Sequence, residues 1–138
     1  MKMTIEGVEP PTRKTTGSCG YDIHCPKDVN LSRFMPTYLD LGILMEPGDI
    51  PAGHFAMIVP RSSFGSKYGL RLRNTVGIID SDYTMDTIKA SLYVDNPEGL
   101  NVKKNERILQ MIVVPFVTME SEVPPTEERK GGIGSTGI

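Results

Sequence analysis

Tryptophan is absent from these 138 residues, cysteine and histidine occur twice each, and no apolar run approaches the length of a bilayer span. Each scarcity excludes something. Two cysteines, Cys19 and Cys25, are too few for a secreted disulfide scaffold and suit a reducing compartment. With His24 and His54 they make four zinc ligands on paper, but neighbouring strand residues such as His24 and Cys25 point to opposite faces, and the paired spacing of zinc ligands is missing. The 15 Lys and Arg are scattered among 17 Asp and Glu, for a net charge of −2, so no basic stripe follows a nucleic-acid backbone. The opening Met1-Lys2-Met3-Thr4-Ile5-Glu6 lacks the apolar segment of a signal peptide. The expectation is a soluble, intracellular, cytoplasmic protein with no membrane or nucleic-acid partner, of a length suited to one domain around one core.

What is present is period-two alternation. Leu39, Leu41, Ile43 and Met45 interleave with other residues, as do Ile88, Ala90, Leu92 and Val94 with Lys89, Ser91 and Tyr93, which predicts half-buried strands. Residues 54–59 and 108–114 are further apolar runs of strand length. Turn signals separate them at Glu46-Pro47-Gly48-Asp49, Pro51-Ala52-Gly53 and Asn96-Pro97-Glu98-Gly99, the spacing of an all-β sandwich or barrel. One short helix is predicted over 62–68, with Ser62 as its N-cap and Gly69 closing it. After Pro124-Pro125 the chain turns polar and then glycine-rich. Residues 1–123 therefore read as the β domain and 124–138 as a mobile C-terminal arm.

Five segments could carry chemistry. The run Val76-Gly77-Ile78-Ile79-Asp80-Ser81-Asp82-Tyr83 delivers two carboxylates and a tyrosine at a strand end, where burial would raise the pKa of Asp80 and make it a proton acceptor; the plainer reading is an Asx turn closing a strand. Pro60-Arg61-Ser62-Ser63 offers helix-start amides, two hydroxyls and an arginine to a phosphate chain, or simply a capped helix beside a surface arginine. Arg129-Lys130-Gly131-Gly132-Ile133-Gly134-Ser135-Thr136-Gly137 could converge backbone amides on an anion, or be a polar tail; it lacks the Gly-Lys-Ser/Thr ending of a Walker loop. Gly20-Tyr21-Asp22 by itself reads as a strand with a solvent-facing aspartate. In Glu106-Arg107-Ile108-Leu109-Gln110, the glutamine enters an apolar run and needs a backbone group or a ligand as partner.

In order and spacing these segments resemble the five motifs of the trimeric dUTP pyrophosphatase (dUTPase) family, over almost the whole chain from Cys19 to Gly137. The resemblance implies a β jelly-roll subunit, a homotrimer, and active sites in which the arm of one chain closes over a pocket between two others. It implies hydrolysis of dUTP to dUMP and pyrophosphate, with Asp80 as the base that activates water, Mg2+ across the phosphates, and Asp22 holding metal-bound water from outside the first shell. Arg61 and Ser62, with Ser63, would bind the phosphate chain, and Gln110 would orient it and the water. Arg129, Ser135 and Thr136, with Gly134, would clamp the γ-phosphate. Tyr83 would exclude a 2′-hydroxyl, and a hairpin around Asn74, with Gly77 and Ile79, would read uracil. Asp82 is left to turn chemistry.

Three positions depart from the family pattern. Ile133 stands where an aromatic residue usually stacks on uracil, Thr84-Met85-Asp86-Thr87 is one residue longer than usual and suggests a bulge, and Asn105 replaces a turn glycine. A related fold, the dCTP deaminase, carries a catalytic glutamate in the next strand, and Ile88-Lys89-Ala90-Ser91-Leu92 has none. A binding or regulatory role beside catalysis, with a partner the residues do not identify, remains open to the same fold.

Overall fold

A computed structural model of the chain describes residues 1–131, so Ile133, Gly134, Ser135 and Thr136 lie outside the described residues. The alternating segments become strands. In chain order these are β1 (Lys2–Met3), β2 (Gly20–His24), β3 (Val29–Leu31), β4 (Thr37–Leu44), β5 (His54–Pro60), β6 (Arg71–Leu72), β7 (Gly77–Asp80), β8 (Thr87–Tyr93), β9 (Leu100–Val102) and β10 (Arg107–Pro115), with one helix, α1 (Ser62–Tyr68). Two four-stranded antiparallel sheets, ordered β1-β4-β8-β6 and β2-β10-β5-β7, and a small β3-β9 ribbon make an all-β, jelly-roll-like fold.

The inner faces of the two sheets supply the core. Leu39, Leu41 and Ile43 on β4 and Ile88, Ala90 and Leu92 on β8 are buried, as are Ala56 and Ile58 on β5 and Leu109 and Met111 on β10. The outward faces differ in chemistry. On β4 and β8 the alternate positions are Tyr38, Asp40, Lys89 and Ser91, a mostly polar set facing water. On the other sheet, cross-strand registers align Val59 with Gln110 and Asp22, Met57 with Ile112 and Ile78, and Phe55 with Val114 and Asp80. This second face is an apolar stripe with a polar group at each end.

Helix α1 closes as expected, with Gly69 in the left-handed region at φ 64 and its N–H on the Gly65 carbonyl. Its start differs from expectation. Arg61, extended at φ −66 and ψ 145, holds the N-cap position without a side-chain cap, and Ser62 is already helical. Asn105 does adopt the left-handed conformation its turn needs, at φ 69. The bulge expected at 84–87 is not there; residues 84–86 form a loop leading into β8, which Thr87 opens. The irregularity sits on the facing strand, where Asp40 pairs with Lys89 but Leu44 with Thr87, so four residues of β4 cover two of β8. Gly42, at φ 71, makes the extra length possible, and its N–H is held by Asp40 Oδ1 at 2.9 Å. Beyond Pro115 no strand forms among the described residues, and side chains 116–128 are exposed.

Gly42→Ala is expected to destabilise the fold. A left-handed alanine costs about 1–2 kcal/mol, and a Cβ there would stand 2.8 Å from Ile5 Cγ1. A urea midpoint equal to that of the unaltered protein would contradict this reading of the bulge.

Candidate active site

The expected site residues fall into two clusters. The first gathers Asp22, Arg61, Arg107 and Gln110 where β2, β10 and β5 run side by side. Asp22 is not the solvent-facing aspartate that its segment alone suggests. It is only 9% exposed, and two guanidinium groups hold it, Arg61 Nε on Oδ1 at 3.0 Å and Arg107 on Oδ2 at 3.1 Å. Arg61 also donates to the Arg107 carbonyl at 3.1 Å, which fixes the two arginines relative to one another. One carboxylate between two guanidinium groups leaves a surplus of positive charge at a site open to water, the electrostatics of an anion seat.

Gln110 finds its partner in the backbone, donating to the Pro60 carbonyl at 3.2 Å. Its position depends on a glycine far away in sequence but on the neighbouring strand: a Cβ on Gly20 would lie 2.2 Å from Gln110 Oε1. Ser62 and Ser63 follow Arg61 into the first turn of α1 and are exposed. Arg107 lies outside the set of site residues inferred from sequence. Its signal was position, since it opens β10 directly across from His24, two residues after Asp22 on β2.

The second cluster gathers Asp80, Asp82, Tyr83 and Arg129. Asp80 ends β7 with an exposed side chain, so its own chain does not supply the burial expected to make it a base. Arg129 lies between the two carboxylates, Nη2 on Asp80 Oδ2 and Nε on Asp82 Oδ1 at 2.7 Å, and its guanidinium carbon is 5.8 Å from the Tyr83 ring centre. The hydrogen bond to Asp82 leads in holding the Arg129 guanidinium above its usual range. Asp82, assigned only to turn chemistry from sequence, is thus a full partner in this cluster. Tyr83 is buried, donates to the Thr87 carbonyl at 3.1 Å, and has its phenol pKa pushed up chiefly by that burial and then by Asp86.

At the other end of β7 from Asp80, Asn74 and Thr75 form the tight turn between β6 and β7. Thr75 N–H donates to Leu72 O at 3.0 Å and Val76 N–H to Asn74 O at 2.8 Å. Thr75 is left-handed at φ 72, an outlier for a β-branched residue and of order 1–3 kcal/mol in strain. Nothing in the sequence marks it, because residue type argues against that conformation. Gly77 packs closely on β5, where a Cβ would lie 3.1 Å from Ile58 Cβ, and Ile79 is buried beside it.

The clusters do not meet in one chain. Strand β5 pairs with β10 and β7, and its register puts Leu109 opposite Pro60 but Asp80 opposite Phe55. Five residues of strand separate the ends by roughly 16 Å. Among the described residues no group of three or more His, Cys, Asp or Glu could cage a metal. Asp22, with both oxygens already engaged, fits contact through water better than direct ligation.

Comparison with known proteins gives a consistent result. The dUTPase family model matches residues 6–137. The chain is 35% identical to the deoxyuridine 5'-triphosphate nucleotidohydrolase of Paramecium bursaria Chlorella virus 1, over 100% of this chain and 96% of that protein, and 35% identical to that of Hydrogenobaculum sp. (strain Y04AAS1), with the same coverages. The crystal structure of dUTPase from Streptococcus mutans superposes with a TM-score of 0.69 at 25% identity, covering 86% of this chain and 97% of the other. Staphylococcus bacteriophage 80alpha dUTPase with dUPNHPP shares the fold at a TM-score of 0.71 and 22% identity, covering 99% and 96%.

Two predictions follow from the geometry of the first cluster. Arg61→Gln and Arg107→Gln each leave Asp22 one partner, while the double variant leaves it none, so the double loss of stability should exceed the sum of the singles by about 1 kcal/mol or more. Simple additivity in denaturant unfolding would show the pairs to be independent. In His24, on the same strand, burial lowers the pKa, and Nδ1 has no hydrogen-bond partner among the described residues. The unfolded chain then binds the proton more readily, so stability is complete above the ordinary histidine value and falls as pH drops through it. His24→Gln should flatten that part of the stability profile, and an unchanged slope would exclude His24 as its source.

Proposed function

Since the chain belongs to the dUTPase family, we propose that it hydrolyses dUTP to dUMP and pyrophosphate in active sites that separate copies complete together. The observation that carries this reading is the division of the motif residues into a phosphate-binding half and a base-and-sugar half at opposite ends of β5. Copies packed through the apolar outward face of β2-β10-β5-β7 would bring the Asp80 end of one against the Asp22 end of another. Ile78, 55% exposed, and Phe116, 47% exposed, would then be covered. The positive surplus around Arg61 and Arg107 would meet the negative surplus around Asp80 and Asp82. A homotrimer is the assembly that fits the family.

In that site Asp80, released from its ion pair and desolvated by the second chain, accepts the proton of a water that attacks the α-phosphorus in line. Arg61 and Ser62, with Ser63, bind the phosphate chain, and Gln110 orients the phosphates and the water. Arg129 leaves the carboxylates for the terminal phosphate, a move that frees Asp80 when a triphosphate is present. Tyr83, packed and fixed through Thr87, fills the space of a 2′-hydroxyl. The turn at Asn74 and Thr75 presents backbone groups to the uracil edge, where a wrong base leaves polar atoms unpaired. Asp22 would help hold a magnesium ion through water, and that ion would supply neutralisation of the charge that develops on the phosphates. Removal of dUTP would limit uracil incorporation into DNA, and the dUMP formed would supply thymidylate synthesis.

Parallel assays with dUTP, dCTP, dTTP and UTP should yield pyrophosphate from dUTP alone, and only with magnesium. Ammonia from dCTP would replace this reading by a deaminase. Asp80→Asn should lower turnover by about 10²- to 10⁴-fold with little change in nucleotide affinity. Undiminished turnover would remove Asp80 from the role of base.

A further inference from the structure

The loop between Asp80 and β8 closes on itself through one carbonyl. Tyr83 N–H donates to Asp80 O at 3.1 Å, so the tyrosine leaves the same turn as the carboxylate. Its phenol then reaches across residues 84–86 and donates to Thr87 O at 3.1 Å. That carbonyl has a second donor. Lys89 Nζ lies 2.9 Å from it, 2.9 Å from Thr87 Oγ1 and 2.8 Å from Asp86 Oδ1. An ammonium has three hydrogens to donate, and these three oxygens take all of them.

This clasp differs from a surface ion pair, which is worth little because two long side chains must be held in water. The Lys89 side chain is only 18% exposed, and its acceptors belong to two adjacent residues. Asp40, its cross-strand partner on β4, is engaged elsewhere, accepting Gly42 N–H at 2.9 Å. Asp86 Oδ1 also accepts Thr87 N–H at 2.8 Å, which fixes Thr87 from its other side. Both lone pairs of Thr87 O are therefore used, one by Lys89 and one by Tyr83. Without the ammonium, the carbonyl and the phenol would have only each other and a short loop to drift with.

From this arrangement we infer that Lys89 is a positioning residue for sugar selectivity: through Thr87 O it sets where the Tyr83 ring stands, and so how much room a ribose 2′-hydroxyl finds. The inference rests on the role of Tyr83 proposed above and extends it to a residue on the next strand. The Lys89 bonds stay within Asp86 and Thr87, away from Asp80 and from the arginines that would hold phosphate. Its loss should therefore be read in discrimination and not in turnover. One hydroxyl decides that discrimination, and a displacement of about 1 Å is enough to change how a side chain serves a site.

The test uses UTP as an inhibitor of dUTP hydrolysis by the full-length chain with magnesium, which needs no turnover of UTP. Lys89→Met keeps the stem and loses the ammonium. The ratio of the UTP inhibition constant to the KM for dUTP should fall by about tenfold, with kcat for dUTP within about twofold of the unaltered chain. Lys89→Arg, which can still donate to Thr87 O, should recover most of the ratio. Asp86→Asn, which keeps an oxygen for Thr87 N–H, should lower it by about threefold. An unchanged ratio in Lys89→Met, or a loss of kcat as large as the loss of selectivity, would overturn the inference. A cycle with Tyr83→Phe tests the link itself: phenylalanine cannot donate to Thr87 O, so adding Lys89→Met should change the ratio no further. A second drop of about tenfold in that background would show that Lys89 acts elsewhere. If Lys89→Met does not fold, Asp86→Asn carries the same cycle. An unaltered chain that releases no pyrophosphate from dUTP would sink the proposed function, whereas normal hydrolysis with an unmoved ratio sinks this inference alone.

Discussion

The antiparallel ladder along β5 is the constraint on which the rest depends. Its hydrogen bonds to β10 on one side and β7 on the other fix which residues stand level, and they set Asp22 and Gln110 beside Val59 but Asp80 beside Phe55. Because side chains alternate strictly, all of these groups project from the same outward face. Residues expected to act together are therefore on one surface, aimed the same way, and too far apart to share a substrate. A rigid sheet cannot be bent to bring them together. Another copy of the same surface can.

Charge gives that separation its sense. Asp22 would be costly to bury alone, and Arg61 and Arg107 make it tolerable while keeping their own positions fixed by it and by each other. The result is a preorganised cationic seat on rigid strands. At the far end Arg129 does the reverse, bringing one positive charge to two carboxylates at the end of β7. In the function proposed above, the Asp80 pairing would be a resting arrangement, broken before Asp80 acts. A triphosphate offers Arg129 more negative charge than Asp80 and Asp82 do. In the proposed function, substrate binding and release of Asp80 would then be one exchange of ion-pair partners.

Much of this was legible in the residues. The strands followed from period two, the closure of α1 from Gly69, and the left-handed turn at Asn105 from the tolerance of asparagine for that region. What escaped depends on partners distant in the chain. Burial of Asp22 is decided by arginines 39 and 85 residues away, and no local pattern reports them. The bulge was assigned to the unusual segment at 84–87 because that is where the sequence departs from pattern, whereas the backbone absorbed the mismatch at Gly42 across the ladder. Thr75 was invisible because its conformation opposes its residue type. The N-cap was misplaced by one position because a serine is the usual cap and here an arginine, drawn to Asp22, holds the extended residue before the helix.

The division of the site between copies was suggested only by resemblance, and the register of β5 now gives it a physical reason. Its most direct test is turnover measured across a dilution series alongside the assembly state from sedimentation at the same concentrations. If each site needs a second chain, specific activity follows the assembled fraction and vanishes with it. Full specific activity in a preparation that sediments as single chains would contradict the shared site.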